Sequence, residues 1–239
     1  MAGPLILHIE TATDICSVAL AEGEQLLQLI ESGPERSHAV LLNSFIKEAL
    51  QKAEMEPGQL DAISVSKGPG SYTGLRIGVS TAKGFAYALS IPLLATGTLD
   101  NMASGSLNHA EVLKIRQEFG KNILLCPMLD ARRMEVYAGF YDMELNVIRE
   151  VAADIVEKDT YESLLEKHHI CFFGNGASKC REVLIHPNAH FIADVDPSAG
   201  FMVGPALQRY DKEEFEDVAY FEPFYLKDFV ATIPRKKVL

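Results

Sequence analysis

No two of the four cysteines, Cys16, Cys126, Cys171 and Cys180, form a C-x-x-C pair. That spacing leaves out the usual thiolate zinc site and the thioredoxin-type redox motif, so scattered reduced thiols are expected. No apolar run reaches the roughly 18 residues of a membrane span. The short LILHI run at 5–9 has no basic stretch before it. Neither a membrane span nor a secretory leader is therefore expected, and the expected compartment is the cytoplasm. Positive charge is scarce: 22 Lys and Arg stand against 33 Asp and Glu, a net charge of −11. Such a chain repels a phosphate backbone, so any contact with RNA should be shared with a partner. Local groups such as Arg132-Arg133 and Arg235-Lys236-Lys237 could supply it within a complex. A Walker phosphate loop is missing, because Lys83 is followed by Gly84, and so is a G-x-S-x-G nucleophile elbow. Ser71, His38 and Asp61 can be picked out as a nucleophilic set, but any chain of this length offers many such sets, and protease activity is not expected.

What is present describes a globular α/β protein. The chain has 239 residues, 48% of them hydrophobic and 23% charged, enough to bury a sizeable core. Apolar runs at 5–9, 15–21 and 26–30, broken by turn residues, predict a three-stranded antiparallel meander. The spacing of Leu41, Leu42, Phe45, Ile46, Ala49 and Leu50 predicts a helix over 37–54, with Ser37 as its cap. A strand at 60–66, a long helix at 71–89, a strand at 92–95 and a short helix at 98–106 follow. The stretch 103–121 is polar and reads as a domain junction. The pattern then restarts, with strands at 123–129, 135–141 and 145–150, a helix at 161–168, a strand at 171–173 and helices at 177–184 and 198–210. The same order of elements thus appears twice, without sequence identity between the halves. Two mixed-sheet domains, 1–107 and 108–239, are expected.

The segment 64–88, SVSKGPGSYTGLRIGVSTAKGFAYA, carries the most information. A glycine-rich turn leaves a strand and opens a helix, the geometry of an anion site. Yet Gly68, Gly70 and Gly74 are one residue off the dinucleotide spacing, and no acidic residue is suitably placed beyond. The helix itself offers a better explanation. Gly74, Gly78, Ala82 and Ala86 recur every four residues on one stripe. Glycine costs a helix interior about 1 kcal/mol, so two on one face imply close approach by another element. Either a helix of the same domain or a helix across a subunit interface would satisfy that.

KGPGSYTGLRIGVSTAKGFA closely resembles the signature of the TsaB (YeaZ) family. In order around it, LHIETATDICSVAL resembles that family's first hairpin and Arg36-Ser37-His38 with Leu41-Leu42 its first helix entrance. MLDARRMEVYAGFY at 128–141, Phe173-Gly174-Asn175-Gly176, and Pro223-Phe224-Tyr225-Leu226-Lys227 resemble its later blocks. The match spans nearly the whole chain. It implies the actin/Hsp70/sugar-kinase fold, two similar α/β domains facing a cleft. It also implies a subunit without catalysis or cofactor of its own, needed to make N6-threonylcarbamoyladenosine at position 37 of tRNA. The implied partners are a TsaD-like catalytic subunit and a TsaE-like ATPase, with tRNA met only through the complex and a homodimer formed in isolation. The catalytic paralogue carries an H-x-x-x-H metal motif where this chain has Thr98 and Met102, so no metal site is expected. His168, His169, His186 and His190 read as surface or loop residues. Glu10-Thr11-Ala12-Thr13, Asp130 and Gly174-Asn175-Gly176 keep only hints of a nucleotide cleft. The expected partner-binding face comprises Gly74, Gly78 and Ala82 with Tyr72, Thr73 and Arg76, extended by His38 and Leu42. The rival expectation is an ATPase, kinase or glycoprotease-like enzyme of the same fold.

Overall fold

A computed structural model describes residues 3–33 and 38–227. Arg36, Ser37 with its expected capping role, and the 235–237 basic group lie outside the described residues.

The first sheet grows from the meander. Strands β1 (Leu5–Glu10), β2 (Ser17–Glu22) and β3 (Gln25–Glu31) pair antiparallel. Helix α1 (His38–Lys52) leads to β4 (Ala62–Ser66), which lies parallel to β1, with His8 opposite Ser64. Helix α2 (Tyr72–Leu89) then leads to β5 (Leu93–Thr96), parallel to β4. The strand order is β3-β2-β1-β4-β5. Alternation along β1 divides its side chains. Leu5, Leu7 and Ile9 pack with Leu42, Ile46, Val79 and Ala82 of the two helices. Ile6 packs on the opposite face, with Ala206 from the C-terminal region.

Helices α3 (Thr98–Ser106) and α4 (Ala110–Phe119) connect to the second sheet. That sheet contains β6 (Ile123–Asp130), β7 (Glu135–Tyr141), β8 (Val147–Ile155), β9 (His169–Phe173) and β10 (Ala189–Phe191). The one-turn helices α5 (Glu162–Leu165) and α6 (Ala177–Cys180) are the crossovers. Its order is β10-β9-β6-β7-β8. Read from its third strand, this repeats the first sheet: a meander, a helix, a strand parallel to the first, a helix, and a final parallel strand. The duplicated architecture is that of the actin/Hsp70/sugar-kinase fold.

Several expectations change. The polar stretch expected as a junction holds α4, whose Val112 is buried and whose Ile115 and Phe119 pack beside it. One narrow apolar stripe in a charged helix is a weak signal. The helices expected at 161–168 and 177–184 contract to four residues each. Leu165 in α5, and Ala177 and Cys180 in α6, are their only buried side chains. The expected helix at 198–210 is a 3-10 turn at Ala199–Met202 followed by α7 (Val203–Asp211). This last segment returns to the first sheet. Ala199 N donates to Ser17 Oγ at 2.7 Å, Ser198 Oγ to Glu31 Oε1 at 2.6 Å and Glu216 N to Leu93 O at 2.8 Å. The segment 198–216 thus packs with the first sheet although it follows the second in the chain. All four cysteines are buried and free. No helix among the described residues is long and apolar enough to cross a membrane.

Candidate partner face and interdomain cleft

Helix α2 is fixed at its start. Ser71 Oγ caps it by accepting from Gly74 N at 3.2 Å, and Ser71 N donates to Ala12 O at 2.6 Å. The turn after β1 therefore lies against the first turns of α2. A Cβ added at Gly74 would stand 2.1 Å from Thr11 O, and one at Gly78 2.2 Å from Thr11 Oγ1. Thr11 Oγ1 donates to Gly74 O at 2.9 Å in the same contact. Ala82 is fully buried in the first core and Leu42 is 1% exposed there. This corrects the expected face. Gly74, Gly78, Ala82 and Leu42 point into their own domain, and the element that approaches the stripe is the β1–β2 turn.

The outer side of α2 is different. Thr73, Arg76, Ser80, Gly84 and Ala88 are exposed, and Tyr87 is 81% exposed. A Cβ on Gly84 would meet nothing within 4 Å. On α1, Val40 is 74% exposed and Asn43 is exposed. Between the two helices runs a shallow groove of about 420 Å³, lined by Asn43, Ser80, Thr81, Gly84, Phe85 and Ala88. A second stripe of small residues thus faces outward, at the same period as the buried one. At the entrance of α1, half-buried His38 places Nε2 3.3 Å from Ile15 O.

Tyr72 and Arg76 face the chain's own C-terminal strap, residues 221–227. Arg76 Nη1 donates to Tyr72 OH at 3.0 Å and lies over its ring. The Tyr72 ring meets Tyr225 at a centroid distance of 5.0 Å. Lys83 Nζ holds Phe221 O at 2.8 Å, and Phe224 N donates to Lys67 O at 2.7 Å. Lys227 pairs with Glu135 on β7. The strap therefore ties the start of α2 to the second sheet.

Several polar side chains of β1, β4 and α3 are buried with few partners. Glu10 is fully buried, with Oε1 accepting from Ala12 N at 2.7 Å and Oε2 unpartnered. Burial pushes its pKa up to about 7, against the opposing hydrogen bonds of Ala12, Ser66 and Thr11. His8, on the same face of β1, is also buried without a partner, and burial lowers its pKa to about 3. Ser66 Oγ and Thr98 Oγ1 are 2.7 Å apart. Thr98 and Met102 are completely buried, and the Met102 Cε packs at the Gly174 turn, 2.7 Å from where a Cβ would stand. Thr98 is engaged with a hydroxyl and Met102 fills a core gap, so neither is presented as a ligand. No group of three metal-ligating side chains occurs among the described residues.

Asp130 ends β6 beside the turn at 174–176, its N donating to Asn175 Oδ1 at 2.9 Å. Burial works to raise its pKa, but the Lys179 hydrogen bond, the Arg132 amide and the two positive charges hold it below the usual value. Its ion pair is with Lys179. The structure does not assemble Ser71, His38 and Asp61. Ser71 caps α2, His38 meets Ile15 O, and Asp61 Oδ2 accepts from Leu5 N at 2.7 Å. Two expected loop histidines prove paired: His169 opens β9, His190 lies in β10, and their Nδ1 and Nε2 are 3.1 Å apart beneath Phe119.

The family model for TsaD, tRNA N6-adenosine threonylcarbamoyltransferase, matches residues 32–235. The chain is 29% identical over 235 residues to the tRNA threonylcarbamoyladenosine biosynthesis protein TsaB of Bacillus subtilis, covering 93% of each. It is 30% identical over 164 residues to TsaB of Buchnera aphidicola, covering 68% of this chain and 69% of that one. A crystal structure of a Pseudomonas aeruginosa protein with similarity to peptidase YeaZ superposes with a TM-score of 0.78 at 26% identity. That superposition covers 94% of this chain and all of the other. The duplicated sheet order agrees with these matches, two of which cover more than nine-tenths of the chain, and the chain belongs to the TsaB (YeaZ) family.

Proposed function

We propose that this chain is a non-catalytic subunit required for N6-threonylcarbamoyladenosine synthesis in tRNA. It binds a TsaD-like catalytic subunit, a TsaE-like ATPase joins the pair, and tRNA is met through the assembly. The observation that carries the reading is the outward α1–α2 face. Its small residues let helices of a partner approach closely, while Val40 and Tyr87 supply apolar area at its edges. A paralogue with the same duplicated fold offers a matching pair of helices, so a pseudo-twofold bundle is the expected geometry. A second copy of this chain offers the same pair, which accounts for a homodimer when the partner is missing. Thr73, Arg76 and Tyr72 border the face at one end, and His38 borders it on α1.

The absence of catalysis in this reading rests on Thr98 and Met102, which are buried and engaged where the paralogue has metal-binding histidines. The chain's contribution is then to favour the active conformation of its partner. The test is a reconstitution with the TsaD-like and TsaE-like subunits, the threonylcarbamoyl-adenylate-forming enzyme, ATP, threonine, bicarbonate and tRNA. Modified adenosine should appear only when this chain is present, and the chain alone should turn over no ATP. Full product without the chain would refute the scaffold role. ATP turnover by the chain alone would return the kinase-like reading.

A further inference from the structure

The hairpin between β6 and β7 breaks the usual turn chemistry. Arg132 and Arg133 both sit at positive φ, 72° and 51°. That region suits glycine and asparagine, and two consecutive bulky residues there store strain. The loop is nonetheless held tightly. Arg132 N donates to Asp130 Oδ1 at 2.8 Å and Ala131 N to Glu135 O at 3.0 Å. Lys179 Nζ reaches Arg133 O and Glu135 O, each at 2.7 Å, and pairs with Asp130.

The neighbouring carboxylates are already matched, Asp130 by Lys179 and Glu135 by Lys227. Both arginines are exposed, and among the described residues no hydrogen bond or ion pair engages either guanidinium. Two guanidinium groups without an ion pair of their own are thus presented on a tightly held tip, in a chain of net charge −11.

We propose that Arg132 and Arg133 form a clamp for the phosphates of an RNA backbone, used when the chain sits in the tRNA-modifying complex. The inference rests on the scaffold reading above and names one contact that the scaffold makes with the substrate. Guanidinium groups bind phosphate oxygens bidentately, and a fixed backbone reduces the ordering needed on binding. The acidic remainder of the chain explains why two arginines would not hold RNA alone.

The test assembles the complex from the wild-type chain and from R132N/R133G and R132Q/R133Q. Assembly is measured first by sedimentation, then binding of an unmodified tRNA transcript across a salt series. Loss of two phosphate contacts should leave assembly unchanged. It should flatten the slope of log affinity against log salt by about 1.4–1.8 and weaken binding about tenfold at low salt. R132N/R133G should also melt at a higher temperature than wild type, since Asn-Gly accepts this turn without strain. A destabilised fold therefore cannot explain its loss of RNA affinity. An unchanged slope in an assembled complex would overturn the clamp and leave the scaffold standing. Weakened assembly would show that the arginines serve an acidic protein surface, which also overturns it. Failure of the wild-type chain to assemble would remove the scaffold reading and the clamp with it.

Discussion

Gly78 and Gly84 lie on opposite sides of α2, and the same substitution at each should have opposite consequences. A Cβ at Gly78 would stand 2.2 Å from Thr11 Oγ1, so Gly78→Ala must displace the turn after β1. Overpacking of that kind costs about 1–3 kcal/mol, and losing the Thr11–Gly74 hydrogen bond adds about 1 kcal/mol. Replacing a mid-helix glycine returns about 1 kcal/mol. The net effect is a loss of about 1–3 kcal/mol. At Gly84 the added Cβ meets nothing within 4 Å. Gly84→Ala should therefore stabilise the isolated chain by up to about 1 kcal/mol. Gly84→Arg should fold normally and lose the partner, because a long side chain fills the groove floor where a helix must approach. A central interface position of this kind is worth about 2 kcal/mol or more, about thirtyfold in Kd. Urea denaturation of the isolated chains measures the first pair of effects, and calorimetric titration with the TsaD-like subunit the third. Wild-type affinity in Gly84→Arg would refute the outward face. A Gly78→Ala chain as stable as wild type would refute the packing account of the buried stripe.

Glu10 prefers its neutral form in the folded chain, with a pKa near 7 against 4.5 for a free carboxyl. As pH rises from 4.5 to 7 the unfolded state ionises first, so stability should fall by about 3 kcal/mol over that window. Glu10→Gln should abolish that fall, and denaturant midpoints of the two proteins that run parallel between pH 4.5 and 7 would contradict it. His8 acts in the other direction, losing stability as pH drops below 6.5, and it is common to both proteins, so it cancels in their difference. Met102→Ala should cost about 2–4 kcal/mol in denaturation experiments through the cavity it leaves. It should still support tRNA modification below its melting temperature, whereas a ligand role would abolish activity. Tyr225→Ala should loosen the strap, seen as faster hydrogen exchange of the Phe224 amide that bonds Lys67 O, with the exchange of β4 unchanged.

The first half of the fold was legible because its elements are long and strongly patterned. The apolar alternation of β1 to β4 and the length of α2 can be read directly, and α3 spans the expected 98–106. What could not be read was direction. Small residues at 74, 78, 82 and 86 give the same pattern whether a turn, a helix or another subunit approaches them. The deciding contact, Thr11 against Gly74 and Gly78, joins positions more than sixty residues apart. The resemblance to a family implied an interface on α2 but could not tell the buried stripe from the outward one. Gly84, Ser80 and Thr81 therefore went unnoticed. The strap contacts from Lys67 to Phe224 and the His169–His190 pair are invisible for the same reason, since only the folded sheets bring their members together.

The unequal halves of the duplication favour the α1–α2 face over any equivalent on the second domain. In the first half, the crossovers between third and fourth and between fourth and fifth strands are helices of 15 and 18 residues. In the second half the same connections are helices of four residues each. At about 1.5 Å per residue, α2 is roughly 27 Å long and α6 only about 6 Å. Among the described residues, a surface of two long crossover helices therefore occurs on the first domain and not on the second. The short crossovers still close the second core, where Tyr161 packs against Phe140 and Phe172. The second domain instead contributes its hairpin at Arg132-Arg133 and its anchor for the strap at Glu135. On the proposed reading, one half holds the partner, and the other fixes the strap and presents charge. A variant with the α1–α2 face blocked should lose assembly and RNA binding together. A variant at the hairpin should lose RNA binding alone.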